Sequence, residues 1–179
     1  MGDAEKLARF ETTVLVHLDA AYNLARWLTR DECGAEDAVQ EACLRAYRFF
    51  DGQQGLSSKA WFMAVVRNAS LDWLREQRRR ALEDEYDDDD VAHGADTAAS
   101  EPPDLAAERA ADARGLRECI AALPREYREV VVLRELEELS YKEISAIVDV
   151  PMGTVMSRLA RGRDLLQRML LQSRRRKHS

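Results

Sequence analysis

A chain of 179 residues with 34% charged and 46% apolar side chains has room for one ordinary domain or two small ones. It holds no run of about 18 apolar residues, and its first thirty residues show no secretory signal pattern, so direct membrane insertion and export are not expected and the cytoplasm is the expected location. Cys33, Cys43 and Cys119 form no C-x-x-C pair, which argues against a disulfide framework and a zinc site, and eight Gly with four Pro lean against an all-β fold.

The net charge of −6 is an average over unlike parts. Residues 1–82 are balanced, residues 83–112 hold 12 acidic side chains against one basic, and residues 113–179 hold 14 basic against 9 acidic. An acidic stretch therefore hides a basic C-terminal third.

The N-terminal part reads as helices. Leu7, Phe10, Val14, Leu18, Tyr22, Ala25 and Leu28 recur at three- and four-residue steps and predict one apolar face. Thr29 followed by Glu32, or Asp31 alone, opens the next helix. In "AEDAVQEACLRAYRFF" a stripe of Val39, Cys43, Ala46 and Phe50 is expected to be buried, with Asp37, Gln40, Glu41, Leu44 and Arg48 on the other side. "DGQQGLSS" is a loop ending in a cap at Ser57 or Ser58. A long helix follows, with Phe62, Val66, Ala69 and Trp73 toward the core and Asn68, Asp72, Arg75 and Arg79 lined up opposite.

Residues 83–112, with Asp87 to Asp90 in a row and the pair Pro102-Pro103, have little to bury and read as a flexible acidic linker. The linker's charge also suggests that it folds back on the basic C-terminal part. A calcium loop is a poor rival, because the glycine and glutamate at the required places are missing. The C-terminal part begins with a helix from about Leu105 or Ala113 to Ala122. Pro124 at the first helical position starts another. Ser140 and Glu143 form an S-x-x-E capping box ahead of "YKEISAIV", "DVPMG" breaks the chain, and a helix resumes before a basic tail.

Catalysis finds no support. His17, His93 and His178 are isolated, and there is no H-E-x-x-H, no phosphate loop and no nucleophile–base pair, so no enzyme, cofactor, bound metal or small-molecule substrate is expected. The strongest signal lies in residues 139–163, a capped short helix, a turn and a second helix rich in Ser, Thr and Arg. This is the helix-turn-helix layout, whose second helix enters the DNA major groove. Val155, Leu159, Gly162 and Leu166 share one face to pack on Ile144, Ile147 and Val148, and Thr154, Ser157, Arg158 and Arg161 share another. An ordinary amphipathic pair with a solvated arginine face has the same spacing.

Over some forty residues "LPREYREVVVLRELEELSYKEISAIVDVPMGTVMSRLARGRDLL" resembles region four of bacterial extracytoplasmic-function (ECF) sigma factors. "AEDAVQEACLRAYRFF" with "WFMAVVRNASLDWLREQRRR" is similar to their region two. The resemblance implies an all-α chain of two small helical domains: region two over 1–82, a flexible acidic linker over 83–112, and a region-four helix-turn-helix over 113–179. It also implies a function, binding core RNA polymerase and directing it to promoters by their −35 and −10 elements.

Residue by residue, Asp37, Gln40 and Glu41 match the D-x-x-Q-E pattern of the helix that docks on the clamp helices of the polymerase largest subunit, and Arg45 follows. Asn68, with Arg67 beside it, matches a position that contacts the unwound −10 strand. Trp61 at the loop rim, with Asp72, Arg75 and Arg79, completes the candidate set. Many members carry an aromatic inside the preceding loop, and Gly55-Leu56-Ser57-Ser58 departs from that. Thr154, Ser157, Arg158 and Arg161 are the carried −35 positions. Met156 stands where some members have arginine and Ala160 where some have an aromatic, which implies sparse direct readout and more weight on phosphate contacts and DNA shape. The implied partners are core polymerase (clamp helices, and its flap for region four), promoter DNA and an anti-sigma factor. A stand-alone helix-turn-helix regulator is the alternative.

Overall fold

The computed structural model describes residues 2–84 and 105–177. Its helices are α1 (Asp3–Thr13), α2 (Leu18–Thr29), α3 (Glu32–Phe49), α4 (Ser58–Asp84), α5 (Leu105–Ala122), α6 (Arg125–Val131), α7 (Tyr141–Val148) and α8 (Met152–Lys177). Among the described residues there is no strand, as the sequence led us to expect. Most of the acidic linker lies outside the described residues, so its flexibility and fold-back do too. Its two ends are helical: α4 runs to Asp84 and α5 begins at Leu105, the earlier of the two expected starts.

The single apolar face expected from Leu7 to Leu28 is interrupted. A short 3-10 turn, Leu15–His17, separates α1 from α2 and turns the second half of the pattern. Phe10, Val14, Ala25 and Leu28 are buried, but Leu7 and Leu18 are exposed, and Ala21 with Leu24 take their place. The break accompanies edge-on packing of Phe10 against Tyr47 and Phe50 at the far end of α3.

Asp31 caps α3 by accepting a hydrogen bond from the Gly34 backbone N–H at 2.6 Å. Ala46 and Phe50 are buried as expected, but the rest of the α3 stripe is turned by about one residue. Ala35, Ala38, Ala42 and Ala46 face the core, while Val39 and Cys43 flank it half-buried. Methyl side chains let α3 lie close between α2 and α4. The indole of Trp73 lies on Gly34, where a Cβ would stand 2.5 Å from Cζ2. Phe62, Met63 and Val66 of α4 are fully buried, with Ala69 beside them. Ser57 is the α4 cap, accepting from the Ala60 N–H at 3.2 Å.

In the C-terminal half Pro124 stands just before α6, one place earlier than expected, and its carbonyl accepts from the Tyr127 and Arg128 N–H groups. A π turn, Val132–Leu136, prolongs α6, so Val130 to Leu133 are all buried. The capping box of Ser140 and Glu143 opens α7. Val155 and Leu159 of α8 are buried with Ile144, Ile147 and Val148. Gly162 lets α8 cross α6 closely: a Cβ there would meet Val131 Cγ2 at 2.9 Å. Replacing Ser140 by alanine leaves the Glu143 N–H without its acceptor and should cost about 1 kcal/mol. A urea midpoint equal to that of the parent chain would show that the box adds nothing.

Candidate functional site

Three surfaces carry the residues singled out by sequence. The first is the outer face of α3. Asp37, Gln40 and Glu41 are exposed there, with Leu44 exposed next to them. Arg45 does not join this face freely. Its guanidinium bridges Glu41 Oε1 at 2.8 Å and Asp72 Oδ2 at 2.7 Å. The hydrogen bond to Asp72, then that to Glu41, holds its pKa above the usual arginine value.

The second surface is the outer side of α4. Asn68 is exposed and bonds to no other described residue. Asp72 and Arg75 are paired at 2.7 Å, so Asp72 links Arg45 to Arg75 and ties α3 to α4. Arg79 pairs with Glu76 and Glu83. Hydrogen bonds from Arg79 and then Arg80 hold the Glu76 carboxyl down to about 2. Trp61 is half-buried and packs on the core one turn into the helix. Arg67 is drawn inward: its Nε and NH2 donate to both carboxylate oxygens of Glu129 at 2.9 and 3.1 Å, a two-pronged pair.

The third surface is the start of α8. Ser157 and Arg161 are exposed and Thr154 is half-buried. The Ser157 hydroxyl donates to the Thr154 carbonyl at 3.0 Å. Arg161 bonds to no other described residue, while NH1 of Arg158 lies 3.9 Å from Glu129 Oε1. The structure thus brings Arg67 and Arg158, assigned to different promoter elements, to one buried carboxylate. Sequence reading missed Glu129, and also Glu137, Lys59 and Asn23. Glu137 accepts from Asn23 Nδ2 at 2.8 Å and pairs with Lys59 at 3.3 Å. Glu143 was legible as a cap residue but also accepts from the Ser57 hydroxyl at 2.7 Å. Bonds from the Ser140 N–H and then from Ser57 hold its carboxyl below the usual range.

Among the described residues no cluster of His, Cys, Asp and Glu could hold a metal ion. No described helix is long and apolar enough to cross a membrane.

The family description "Sigma-70 region 2" matches residues 13–80, and "Sigma-70, region 4" matches residues 113–166. The first takes in α2, α3 and most of α4; the second takes in the helix-turn-helix. The chain is 32% identical over 170 residues to the ECF RNA polymerase sigma factor SigE of Mycolicibacterium smegmatis, covering 93% of this chain and 63% of that protein, less than two thirds of its length. It is 31% identical over 171 residues to the ECF RNA polymerase sigma factor SigW of Bacillus subtilis, covering 90% and 88%. Among solved structures, the sigma factor RpoE in complex with the anti-sigma factor NepR, from Bartonella quintana, superposes with a TM-score of 0.71 at 26% identity, covering 90% of this chain and 96% of that one.

The chain belongs to the extracytoplasmic-function RNA polymerase sigma factors.

Proposed function

We propose that this chain binds core RNA polymerase in the cytoplasm and directs it to promoters, with region two taking the −10 strand and region four the −35 duplex. The observation that carries this reading is the joint presence, in one chain, of an exposed acidic face on α3 and a helix-turn-helix whose reading helix presents Ser157 and Arg161 to solvent. Asp37, Gln40 and Glu41 dock on the clamp helices of the largest subunit. Region four sits on the flap, where Thr154, Ser157, Arg158 and Arg161 enter the major groove. Arginine there bonds guanine edges or phosphate oxygens.

On α4, Asn68 contacts the unpaired −10 strand, with Arg67, Arg75 and Arg79 supplying cations for its backbone and Trp61 a surface at the rim. Asp72 acts at one remove, by holding Arg45 and Arg75 in place. Trapping unstacked bases shifts the closed–open promoter equilibrium with no covalent step, so the chain is an initiation factor and not an enzyme. An expected anti-sigma partner restrains it, as the relative solved with NepR suggests.

The test is run-off transcription. Purified chain added to core polymerase should yield transcripts with discrete starts from genomic fragments. Tight promoter binding without polymerase and no transcript would instead mark a stand-alone regulator.

A further inference from the structure

Glu129 of α6 is the most deeply buried carboxylate among the described residues, with 2% of the residue exposed. A carboxylate withdrawn from water to that degree is tolerated only with charge partners. Two arginines supply them. Arg67, at the polar seam between the two halves of the molecule, donates to both carboxylate oxygens. Arg158, on the reading helix α8, brings NH1 to 3.9 Å from Oε1, the distance of an ion pair without a hydrogen bond.

Arg158 stands apart from the other candidate −35 residues of α8. At about 3.6 residues per turn it lies nearest the buried line of Val155 and Leu159, with Thr154 and Arg161 further round and Ser157 opposite. Exposure agrees: Arg158 keeps 25% of its side chain in solvent, whereas Ser157 and Arg161 are exposed. A helix in the major groove turns its outermost residues to the base edges and its flanks to the groove walls, which are sugar and phosphate. Arg158 is therefore placed for a wall and not for the groove floor. Its guanidinium carries several N–H donors in a rigid fork. NH1 faces Glu129, and the side chain makes no hydrogen bond to another described residue, so the remaining edge is open to a ligand.

We propose that Glu129 is a positioning residue for promoter binding, which holds the Arg158 guanidinium on the flank of α8 so that its open edge meets a backbone phosphate at the wall of the −35 duplex. The inference rests on the proposed function, since it takes α8 as the helix that enters that duplex. Glu129 itself touches no DNA. An arginine already oriented loses less side-chain freedom on binding than one that sweeps through solvent, so the anchored guanidinium makes the stronger contact for the same charge. A lysine there would not substitute, because a single ammonium offers no second rigid edge to a phosphate while it faces the carboxylate. The contact carries no base preference. Glu129 thus governs how tightly region four holds the duplex and leaves the choice of sequence to residues facing the groove floor.

The experiment uses holoenzyme assembled from core polymerase and the full chain, and titrates it with promoter duplex at several salt concentrations. The parent chain, E129Q, R158A and E129Q/R158A form a double-mutant cycle. Glu129→Gln keeps the side-chain shape and removes the charge. It should weaken promoter binding about fivefold where Arg158 is present and change nothing where residue 158 is alanine, a coupling within the range for residues in contact. The effect of losing the Arg67 contact is common to both halves of the cycle and drops out of the coupling. E129Q and R158A should each lower the salt slope by about one phosphate, with the same loss on promoters of altered −35 sequence. Additive losses would make Glu129 a fold residue only and overturn the proposal. A loss confined to one −35 base pair would make Arg158 a base reader and overturn it too. If E129Q fails to assemble with core polymerase, R158K decides: binding as weak as that of R158A supports the anchored fork, and parent-like binding overturns it. A parent holoenzyme that binds no defined promoter refutes the proposed function and this inference with it, whereas a parent that binds, with no coupling in the cycle, refutes this inference alone.

Discussion

Arg161→Ala should leave binding to core polymerase unchanged and lower initiation at a −35-dependent promoter by roughly 5- to 150-fold. That range corresponds to one arginine contact to a base, about 1–3 kcal/mol at 1.4 kcal/mol per tenfold. Arg161 lies three residues beyond Arg158, on the exposed side of α8, and carries no ion pair with a described residue, so truncating it disturbs no fold contact. Arg158→Ala should lower initiation as well but also remove a neighbour of Glu129, so its effect mixes lost DNA contact with a looser seam. Co-purification with polymerase and run-off yield measure the two quantities. Normal transcription from both variants would place the groove face elsewhere on region four. Uniform loss at every promoter, with a salt dependence weaker by about one phosphate, would mark Arg161 as a backbone contact and not a base reader.

Phe62→Ala should be the most damaging single core change, costing about 3–5 kcal/mol by lost burial and a residual cavity. Phe62 heads the fully buried side chains and sits in the first turns of α4, a helix that packs on α2 and α3. A loss of that size is a large part of the 5–15 kcal/mol typical of a whole domain. At roughly 4–8 °C per kcal/mol for a domain of this size, the melting temperature should fall by about 12–40 °C. Polymerase binding should go with it, because the α3 docking face is held in place by that core. Calorimetry reads the shift directly, and a drop of only a few degrees would mean the ring is not packed as described.

Periodicity along the chain sufficed for the helices and for the helix-turn-helix, because a helix is held by bonds four residues apart and its apolar face repeats at 3.6. The cap at Ser140 was legible for the same reason, being an interaction within three residues, and those at Ser57 and Asp31 were each one of two readings the sequence allowed. The start at Pro124 was legible only to within one residue. Local rules did less well where neighbours decide. The α3 stripe turned to its alanines because close approach of α2 and α4 favours methyl groups over the larger Val39 and Cys43. The run from Leu7 to Leu28 broke at Leu15–His17, and Phe10 before the break packs on rings at the end of α3 that no local pattern announces. Asp72 looked like part of a reading stripe, and its pairing with Arg45, 27 residues earlier, leaves no trace in the spacing.

Residue types and their order along the chain were enough for the all-α architecture, the family and the helix-turn-helix, which show in patterns between near neighbours in sequence. The seam joining Arg67 to Glu129 and Lys59 to Glu137 emerged from the folded molecule alone. Its members are distant along the chain, each is an ordinary charged residue on its own helix, and their pairing depends on how two separately legible bundles come to rest against each other.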